Sequence, residues 1–173
     1  MGGQSKSNQS PVMEAHAYRA IMRHQAGAVT IIAVGKPGHR TGLTATAVCS
    51  VTDAPPTILV CINRKASAHA PIMAEKSFTV NMLARPQTDL ALRFSGRAGV
   101  EGEDRFDADA WTTLVTGAPI LKGAIASLDC EVTEFRDMST HSVFIGRVVA
   151  GTADETIDPL LYFRGEFWDL VRR

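Results

Sequence analysis

Short apolar runs rich in β-branched residues constrain this chain more than any other feature. They occupy residues 28–34, 57–62 and 77–83, and glycine, proline or charged residues follow them. Runs of this length and composition are typical of buried strands. Long helical segments do not alternate with them, which disfavours a doubly wound parallel sheet. The pattern predicts a mostly β protein, an antiparallel β-barrel with short peripheral helices.

The second half of the chain strengthens this prediction. Residues 124–135 alternate, with one face formed by Ala126, Leu128, Cys130 and Val132 and the other by Ser127, Asp129, Glu131 and Thr133. Such alternation predicts a half-buried antiparallel strand, with residues 141–149 as its partner and a terminal hairpin around Gly165. Helices are expected at residues 14–26, stopped by Gly27, and at residues 86–94.

Composition limits the classes of function. A length of 173 residues suits one domain, expected over residues 13–173 after a polar, disordered leader of residues 1–12. Lysine plus arginine and aspartate plus glutamate both number 18, which argues against nucleic-acid binding. No apolar run is long enough to span a membrane.

Cysteine and histidine usage predicts no disulfide framework and no metal site. The three cysteines, Cys49, Cys61 and Cys130, show no Cys-x-x-Cys spacing, and the five histidines are scattered. We expect each thiol to behave as a small buried hydrophobe and the protein to reside in a reducing cytoplasm.

Residues 41–50 form the most unusual segment, an extended stretch with small side chains on both faces. Small residues let a flat ligand lie against backbone N–H groups, and Thr44, Thr46 and Ser50 add hydroxyl groups. The same composition also suits a strand that crosses close to a neighbour in a tight barrel. The residues alone leave both interpretations open.

Two further positions are candidates for ligand contacts. Asn63, Arg64, Lys65 and Ser67 follow a strand and precede a short helix, which suits an anion site; the alternative is a solvated loop with Ser67 as a helix cap. His141 begins an apolar strand, where it would orient a substrate or serve only as a hydrogen-bonded rim residue.

Taken in order, these segments resemble a known family over residues 18–170. The pieces are Gly27-Ala-Val-Thr30, Gly42-Leu-Thr-Ala-Thr-Ala47 with Ser50, Asn63-Arg64 with Ser67, Phe78-Thr-Val-Asn-Met-Leu83, Phe94-Ser-Gly96, Arg105-Phe106, Gly117-Ala-Pro119, His141 and Pro159-Leu-Leu-Tyr162. The chain is similar to the flavin reductase-like proteins, the short-chain flavin reductases of two-component monooxygenases, which have an FMN-binding split barrel.

The resemblance implies a homodimer with FMN or FAD near the subunit interface and NADH or NADPH as co-substrate. It implies that the isoalloxazine ring is held by the backbone of Thr44, Ala45, Thr46, Ala47 and Val48 with Ser50. The flavin phosphate or ribityl chain would contact Asn63, Arg64, Lys65 and Ser67. Beside the flavin would lie Phe94, Ser95 and Gly96. His141 would act as the catalytic residue near the nicotinamide, with Tyr162 near the same pocket. The chain departs from the family at Ser139-Thr140, where many members have glycine first.

Three functions remain open at this point. The first is an NAD(P)H oxidoreductase that supplies reduced flavin to a partner monooxygenase. The second is the same flavoenzyme with tightly bound flavin, passing electrons to another acceptor such as a Co(II) corrinoid in cobalamin biosynthesis. The third is a non-catalytic flavin-binding sensor or storage protein. Hydride transfer needs no strong general acid or base, which fits the absence of an obvious carboxylate pair.

Overall fold

The computed structural model describes residues 11–171. The predicted disordered leader falls largely outside the described residues, and Pro11 and Val12 are exposed. The helices are α1 (Ala15–Met22), α2 (His69–Glu75) and α3 (Thr88–Phe94), with three short 3₁₀ turns at Arg85–Gln87, Gly102–Arg105 and Ala108–Ala110. The strands are β1 (Gly27–Ala28), β2 (Thr30–Val34), β3 (Thr41–Ala45), β4 (Val48–Asp53), β5 (Pro56–Asn63), β6 (Ser77–Met82), β7 (Trp111–Thr113), β8 (Pro119–Leu121), β9 (Ala126–Met138), β10 (His141–Ala153), β11 (Leu160–Phe163) and β12 (Glu166–Asp169).

Seven strands form one antiparallel sheet in the order β3-β2-β6-β9-β10-β5-β4. Its two edge strands, β3 and β4, follow each other in sequence and are linked only by Thr46 and Ala47. The sheet must therefore curl until its edges meet at this link, although no ladder joins them along their length. This arrangement is the predicted split barrel. A three-stranded sheet, β1-β11-β12, and the hairpin β7-β8 lie outside it.

Strand β2 separates two hydrophobic cores and is buried along its whole length. Ile32 and Val34 face the first core, which also contains Phe78 and Phe144. Ile31 and Ala33 face the second core, which is completed by Phe94 of α3, Phe106 of the following loop and Trp111 of β7. Burial on both faces explains why this segment is a continuous apolar run and does not alternate.

The polar face of β9 is buried at its beginning, which the alternation did not predict. Ser127 and Asp129 are fully buried. The Asp129 carboxylate accepts hydrogen bonds from the N–H group, 2.8 Å away, and the hydroxyl of Thr116. The Ser127 hydroxyl donates to Asn81 Oδ1 at 3.0 Å. The prediction of an exposed polar face is therefore wrong here. Both side chains are buried because each has a hydrogen-bond partner, Thr116 between β7 and β8 or Asn81 on β6.

Two element boundaries also differ from the sequence prediction. Helix α1 ends at Met22 and buries none of its residues, because the chain must leave the helix to pair Gly27 with Tyr162 of β11. The extended segment at residues 41–48 is two strands, because the Ala47 carbonyl accepts from the N–H of Cys61 at 3.0 Å. This bond moves the chain from the edge of β2 to the edge of β5.

The cysteines differ in exposure. Cys130 is buried, and desolvation together with neighbouring Asp129 raises the pKa of its thiol to about 12. Cys61 is half-buried, whereas Cys49 on edge strand β4 is exposed, so the expectation of a buried thiol is wrong for Cys49. Within residues 11–171, no helix combines the length and apolarity that a membrane crossing requires.

Asn81 links three strands, and its loss should destabilise the fold. Its Nδ2 group donates to the Ile31 carbonyl at 3.2 Å, and its Oδ1 accepts from the N–H of Leu121 at 2.8 Å and from Ser127. We expect Asn81→Ala to lower the free energy of unfolding by about 3 kcal/mol, because buried donors lose their acceptor. The change would be measured as the urea midpoint at unchanged m value.

Glu134→Ala provides the control, since Glu134 is an exposed residue of β9. That variant should stay within about 0.5 kcal/mol of the original protein. An Asn81→Ala protein that matched the control would show that Asn81 is not needed to hold these strands together.

Candidate functional site

The outer edge of β3 presents backbone groups that no neighbouring strand pairs. Successive residues of an antiparallel edge strand direct their peptide groups alternately toward and away from the partner strand. The Gly42 carbonyl points away from β2, because it accepts from Arg105 Nη1 at 2.8 Å. The peptide groups of Thr44 share that direction. An unpaired edge inside a folded domain is a ready partner for a ligand that has hydrogen-bonding groups along one side.

The beginning of this edge is covered by the loop that follows α3. Arg40 donates to Glu103 from Nε at 2.7 Å and from its backbone N–H at 2.7 Å. Burial raises the pKa of Glu103, but the hydrogen bonds from Arg40 and its charge lower it more, and the pKa lies below its ordinary value of 4.5. Arg105 is buried between Gly42 and the Val100 carbonyl. The covering ends at Gly42, so the edge is open from Thr44 onward.

A cavity of about 220 Å³ lies at this open part of the edge; we call it the ring cavity. Its polar lining consists of Thr44, Thr46, Ser95, Arg97 and Tyr162, and its apolar lining of Val29, Ala45, Ala91, Leu92 and Phe167. Thr44 Oγ1 donates to the Ala91 carbonyl at 2.6 Å, which fixes β3 against α3. The structure thus brings together five predicted site residues, Thr44, Ala45, Thr46, Ser95 and Tyr162.

Glycines shape the walls beside the ring cavity. A Cβ atom on Gly27 would lie 3.3 Å from Cβ of Thr46, and one on Gly42 would lie 3.1 Å from the Phe94 ring. Gly42 therefore permits the close strand crossing that was one interpretation of the small-residue segment. The ring cavity at Thr44 and Thr46 is compatible with the other interpretation, which stays a prediction.

A second depression, of about 540 Å³, shares Thr46, Arg97 and Tyr162 with the ring cavity. The rest of its lining consists of Arg19, Met22, Arg23, Gln25, Arg164 and Gly165. Sequence reasoning missed these arginines because they come from three distant parts of the chain and form no local cluster. Only the fold, which pairs β1 with β11, brings them together.

Ala47 and Val48 line a third depression, of about 400 Å³, together with Cys49 and Cys61. Thr46 borders all three depressions. Ser50 is exposed on β4 opposite Ile58 and lines none of them. The predicted ring-binding segment therefore divides at Thr46, with Thr44 and Ala45 on one side and Ala47 and Val48 on the other.

The predicted phosphate-binding residues form the Asn63 loop, residues 63–67. Asn63 Oδ1 accepts from the N–H of Lys65 at 2.9 Å, which orders the turn. The Ser67 hydroxyl lies 2.9 Å from Thr41 Oγ1. Helix α2 has Ala68 at its N-cap position, so Ser67 is not the helix cap. Because side chains alternate along β3, the Asn63 loop lies on the face of β3 opposite Thr44.

His141 lies beside the Asn63 loop, since it pairs with Asn63 in the β5–β10 ladder. Its ring is exposed, and Nδ1 is 2.9 Å from Thr140 Oγ1. Tyr162 lines the ring cavity and the second depression, whereas His141 lines none of these three depressions. Ser139 adopts a φ of +53°, a left-handed conformation that glycine adopts more readily than serine.

A hydrogen-bonded chain leads from the core to Arg64. His69 Nε2 lies 2.7 Å from Ser142 Oγ, and Ser142 donates to Asp137 Oδ1 at 2.6 Å. The other Asp137 oxygen is 3.7 Å from Arg64 Nη2. This is not a nucleophilic triad, because the carboxylate contacts the serine and the serine is fully buried. The chain instead ends at Asp137, which forms a half-exposed ion pair with Arg64, and no spacing in the sequence indicated it.

The remaining predicted residues belong to the turn after α3. Phe94 is buried in the second core, with its ring centroid 5.0 Å from that of Phe106, so its side chain does not reach the ring cavity. Gly96 has a φ of +79° and lets the chain turn between Ser95 and Arg97, which do line the cavity.

Comparisons with known proteins agree on one family. Residues 22–170 match the family model described as flavin reductase like domain. The chain is 42% identical over 161 residues to the FMN reductase (NADH) RutF of Pantoea ananatis (strain LMG 20103), a match that covers 93% of this chain and 84% of that protein.

Solved structures give the same result. The flavin reductase PheA2 in its native state has a TM-score of 0.84 and 32% identity, over 92% of this chain and 100% of that one. BorF, the flavin reductase component of a bacterial two-component tryptophan halogenase, has a TM-score of 0.84 and 32% identity, with coverage of 92% and 100%.

The Arg40–Glu103 pair at the covered end of β3 predicts a pH-dependent stability. At pH 7 the original protein should be about 1 kcal/mol more stable than Glu103→Gln. Because the folded pKa lies below the unfolded value near 4.5, this difference is complete above pH 4.5 and disappears as the pH falls through the folded pKa. Urea unfolding of both proteins over a descending pH series measures the difference.

Glu134→Gln, an exposed substitution of the same kind, corrects for general charge effects. A difference between the original protein and Glu103→Gln that stayed constant or grew on acidification would contradict the assigned pair.

Proposed function

The chain belongs to the flavin reductase-like family, and we propose that it transfers a hydride from NADH to FMN and supplies the reduced flavin to a partner monooxygenase. It is a flavin oxidoreductase. The observation that carries the proposal is the open edge of β3 at Thr44, with the ring cavity beside it. The named similarity to an FMN reductase that uses NADH supports the choice of both cofactors.

The residues at this edge fit a flavin ring. The ring has carbonyl oxygens and nitrogens along one side, and the unpaired peptide groups of Thr44 provide matching donors and acceptors. Thr46 and Ser95 add hydroxyls, and the close approach of Gly27 leaves space that a larger residue would fill. Tyr162, whose ring centroid is 5.5 Å from that of Phe167, forms an aromatic wall.

A bound flavin would supply the redox chemistry by accepting a hydride from the nicotinamide. The chain contributes binding and orientation. Thr44 would hold the ring edge by backbone hydrogen bonds, while Arg64, Lys65 and Ser67 would hold the phosphate across the edge of β3. Arg97 places a positive charge at the ring cavity, which favours a flavin that becomes more negative on reduction. His141, next to the Asn63 loop, would contact the nicotinamide amide.

We place a second copy of the chain against α1. Tyr18 and Ile21 are 56% and 57% exposed there, although they lie on one face of the helix. A homodimer that buries this face would remove the exposure of these two apolar side chains. Supply of reduced flavin to a monooxygenase is supported by the likeness to BorF, a reductase component of such a system.

The function is tested by the absorbance spectrum of the purified protein before and after NADH addition under argon. NADH oxidation that requires added FMN, with reduced flavin passing through a dialysis membrane, supports the proposal. A yellow protein that bleaches but keeps its flavin would favour a fixed acceptor such as a Co(II) corrinoid. Protein that stays inert with NADH and FMN would exclude a reductase and leave a flavin-binding sensor or storage protein.

The phosphate assignment gives a separate prediction. Arg64→Ala combined with Ser67→Ala should weaken FMN binding about 100-fold, because two charge-assisted contacts to the phosphate are lost. Riboflavin, which has the same ring and no phosphate, should lose less than about threefold. Flavin fluorescence quenching measures both dissociation constants. Arg85→Ala is the control, because Arg85 is also an exposed arginine in an ion pair: its Nη1 lies 3.9 Å from Oδ2 of Asp169. Equal losses for both flavins would contradict the assignment.

A further inference from the structure

The depression of about 540 Å³ beside Thr46 is lined by four arginines and no acidic residue. We call it the arginine bowl; its cations are Arg19, Arg23, Arg97 and Arg164. The chain as a whole has a net charge of zero, so this concentration of positive charge is local. A depression lined by one sign of charge concentrates anions of the opposite sign.

Two of the four arginines are joined to each other, and the backbone of Arg164 also holds the side chain of Arg23. The Arg164 N–H donates to the Arg23 carbonyl at 2.9 Å, and Arg23 Nη2 donates to the Arg164 carbonyl at 2.8 Å. Arg164 Cζ also lies 5.0 Å from the centre of the Phe163 ring. The end of α1 and the β11–β12 turn are thereby locked together. A ligand would meet cations whose positions are already partly set, which lowers the entropy lost on binding.

The charges of the arginine bowl are not balanced by carboxylates. Elsewhere in residues 11–171, five arginines form ion pairs: Arg40, Arg64, Arg85, Arg93 and Arg147. None of the four bowl arginines does so in that part of the chain. Like charges around one depression repel each other, and an anion removes this repulsion while accepting several guanidinium hydrogen bonds.

The size and position of the bowl favour a large anion that also has a flat ring. The bowl shares Thr46, Arg97 and Tyr162 with the ring cavity, so a ligand bound in the bowl would lie next to a flavin ring held in that cavity. We propose that the arginine bowl binds the diphosphate of a dinucleotide, and specifically that of NADH, whose nicotinamide then points toward the ring cavity. This inference rests on the proposed function. FMN has a single phosphate, which the Asn63 loop would hold.

The test uses Arg19→Gln combined with Arg164→Gln, because neither side chain donates a hydrogen bond to another described residue. ADP-ribose, which contains the diphosphate of NADH without the nicotinamide, is titrated calorimetrically into flavin-free protein. The double variant should bind ADP-ribose at least about tenfold more weakly. Its KM for NADH should rise about tenfold, whereas the KM for reduced nicotinamide mononucleotide and the dissociation constant of FMN should change less than about twofold.

Arg147→Gln, an exposed change of the same charge on β10, should leave all four quantities unchanged. Removing repulsion should also leave the unfolding temperature of the ligand-free double variant equal to or above that of the original protein. Unchanged ADP-ribose binding would overturn the proposal, and so would an equal loss of FMN binding.

FAD has the same diphosphate chemistry, so its dissociation constant is measured as well. If FAD binding weakens while the NADH KM does not change, the bowl serves the flavin and the assignment to NADH is wrong. Failure of the proposed function would look different: the original protein would not oxidise NADH with FMN, yet ADP-ribose binding would still depend on Arg19 and Arg164, which supports the diphosphate site.

Discussion

Two strand edges that do not pair with each other determine the organisation of this protein. Strands β3 and β4 end the seven-stranded sheet, and only Thr46 and Ala47 join them. An unpaired edge is a liability in a soluble fold, because it invites pairing with another chain. Here Arg105 covers the edge at Gly42, and the part at Thr44 opens into a cavity. Along β3, the edge is therefore covered at Gly42 and open at Thr44, beside the ring cavity.

Much of this fold was predictable because its strands are short and strongly patterned. The buried run of β2 and the presence of a strand at β9 follow from apolar periodicity. The burial of Ser127 and Asp129 does not, because their partners Asn81 and Thr116 are distant in sequence. A polar residue with a buried partner and a polar residue in water look alike in a sequence. The separation of β3 from β4 at Thr46 was not predictable for a similar reason. It accompanies a hydrogen bond from the Cys61 N–H to the Ala47 carbonyl, which joins segments that are distant in sequence.

The candidate site was predictable in its parts and not in its arrangement. Small residues at 41–50 and cations at Arg64 and Lys65 signalled a ring site and an anion site. The structure adds that β3 stands between them, with Thr44 facing α3 and Thr41 facing Ser67. The structure also shows a hydrogen-bonded chain from His69 through Ser142 to Asp137, and no local sequence motif contains these residues. Residues that act through a neighbour's side chain leave no signal until the fold is known.

The weak attachment of α1 has a consequence for nucleotide binding. The helix has eight residues, buries none of them, and joins the β11–β12 turn through the bonds between Arg23 and Arg164. A helix this short is marginal on its own, so the proposed subunit contact at its exposed face and the proposed anion beside Arg19 and Arg23 would stabilise the same element. Two ligands that favour one conformation strengthen each other's binding by the same factor. If a second copy covers Tyr18 and Ile21 and the bowl binds a nucleotide, as proposed, subunit association and nucleotide affinity would be linked equilibria.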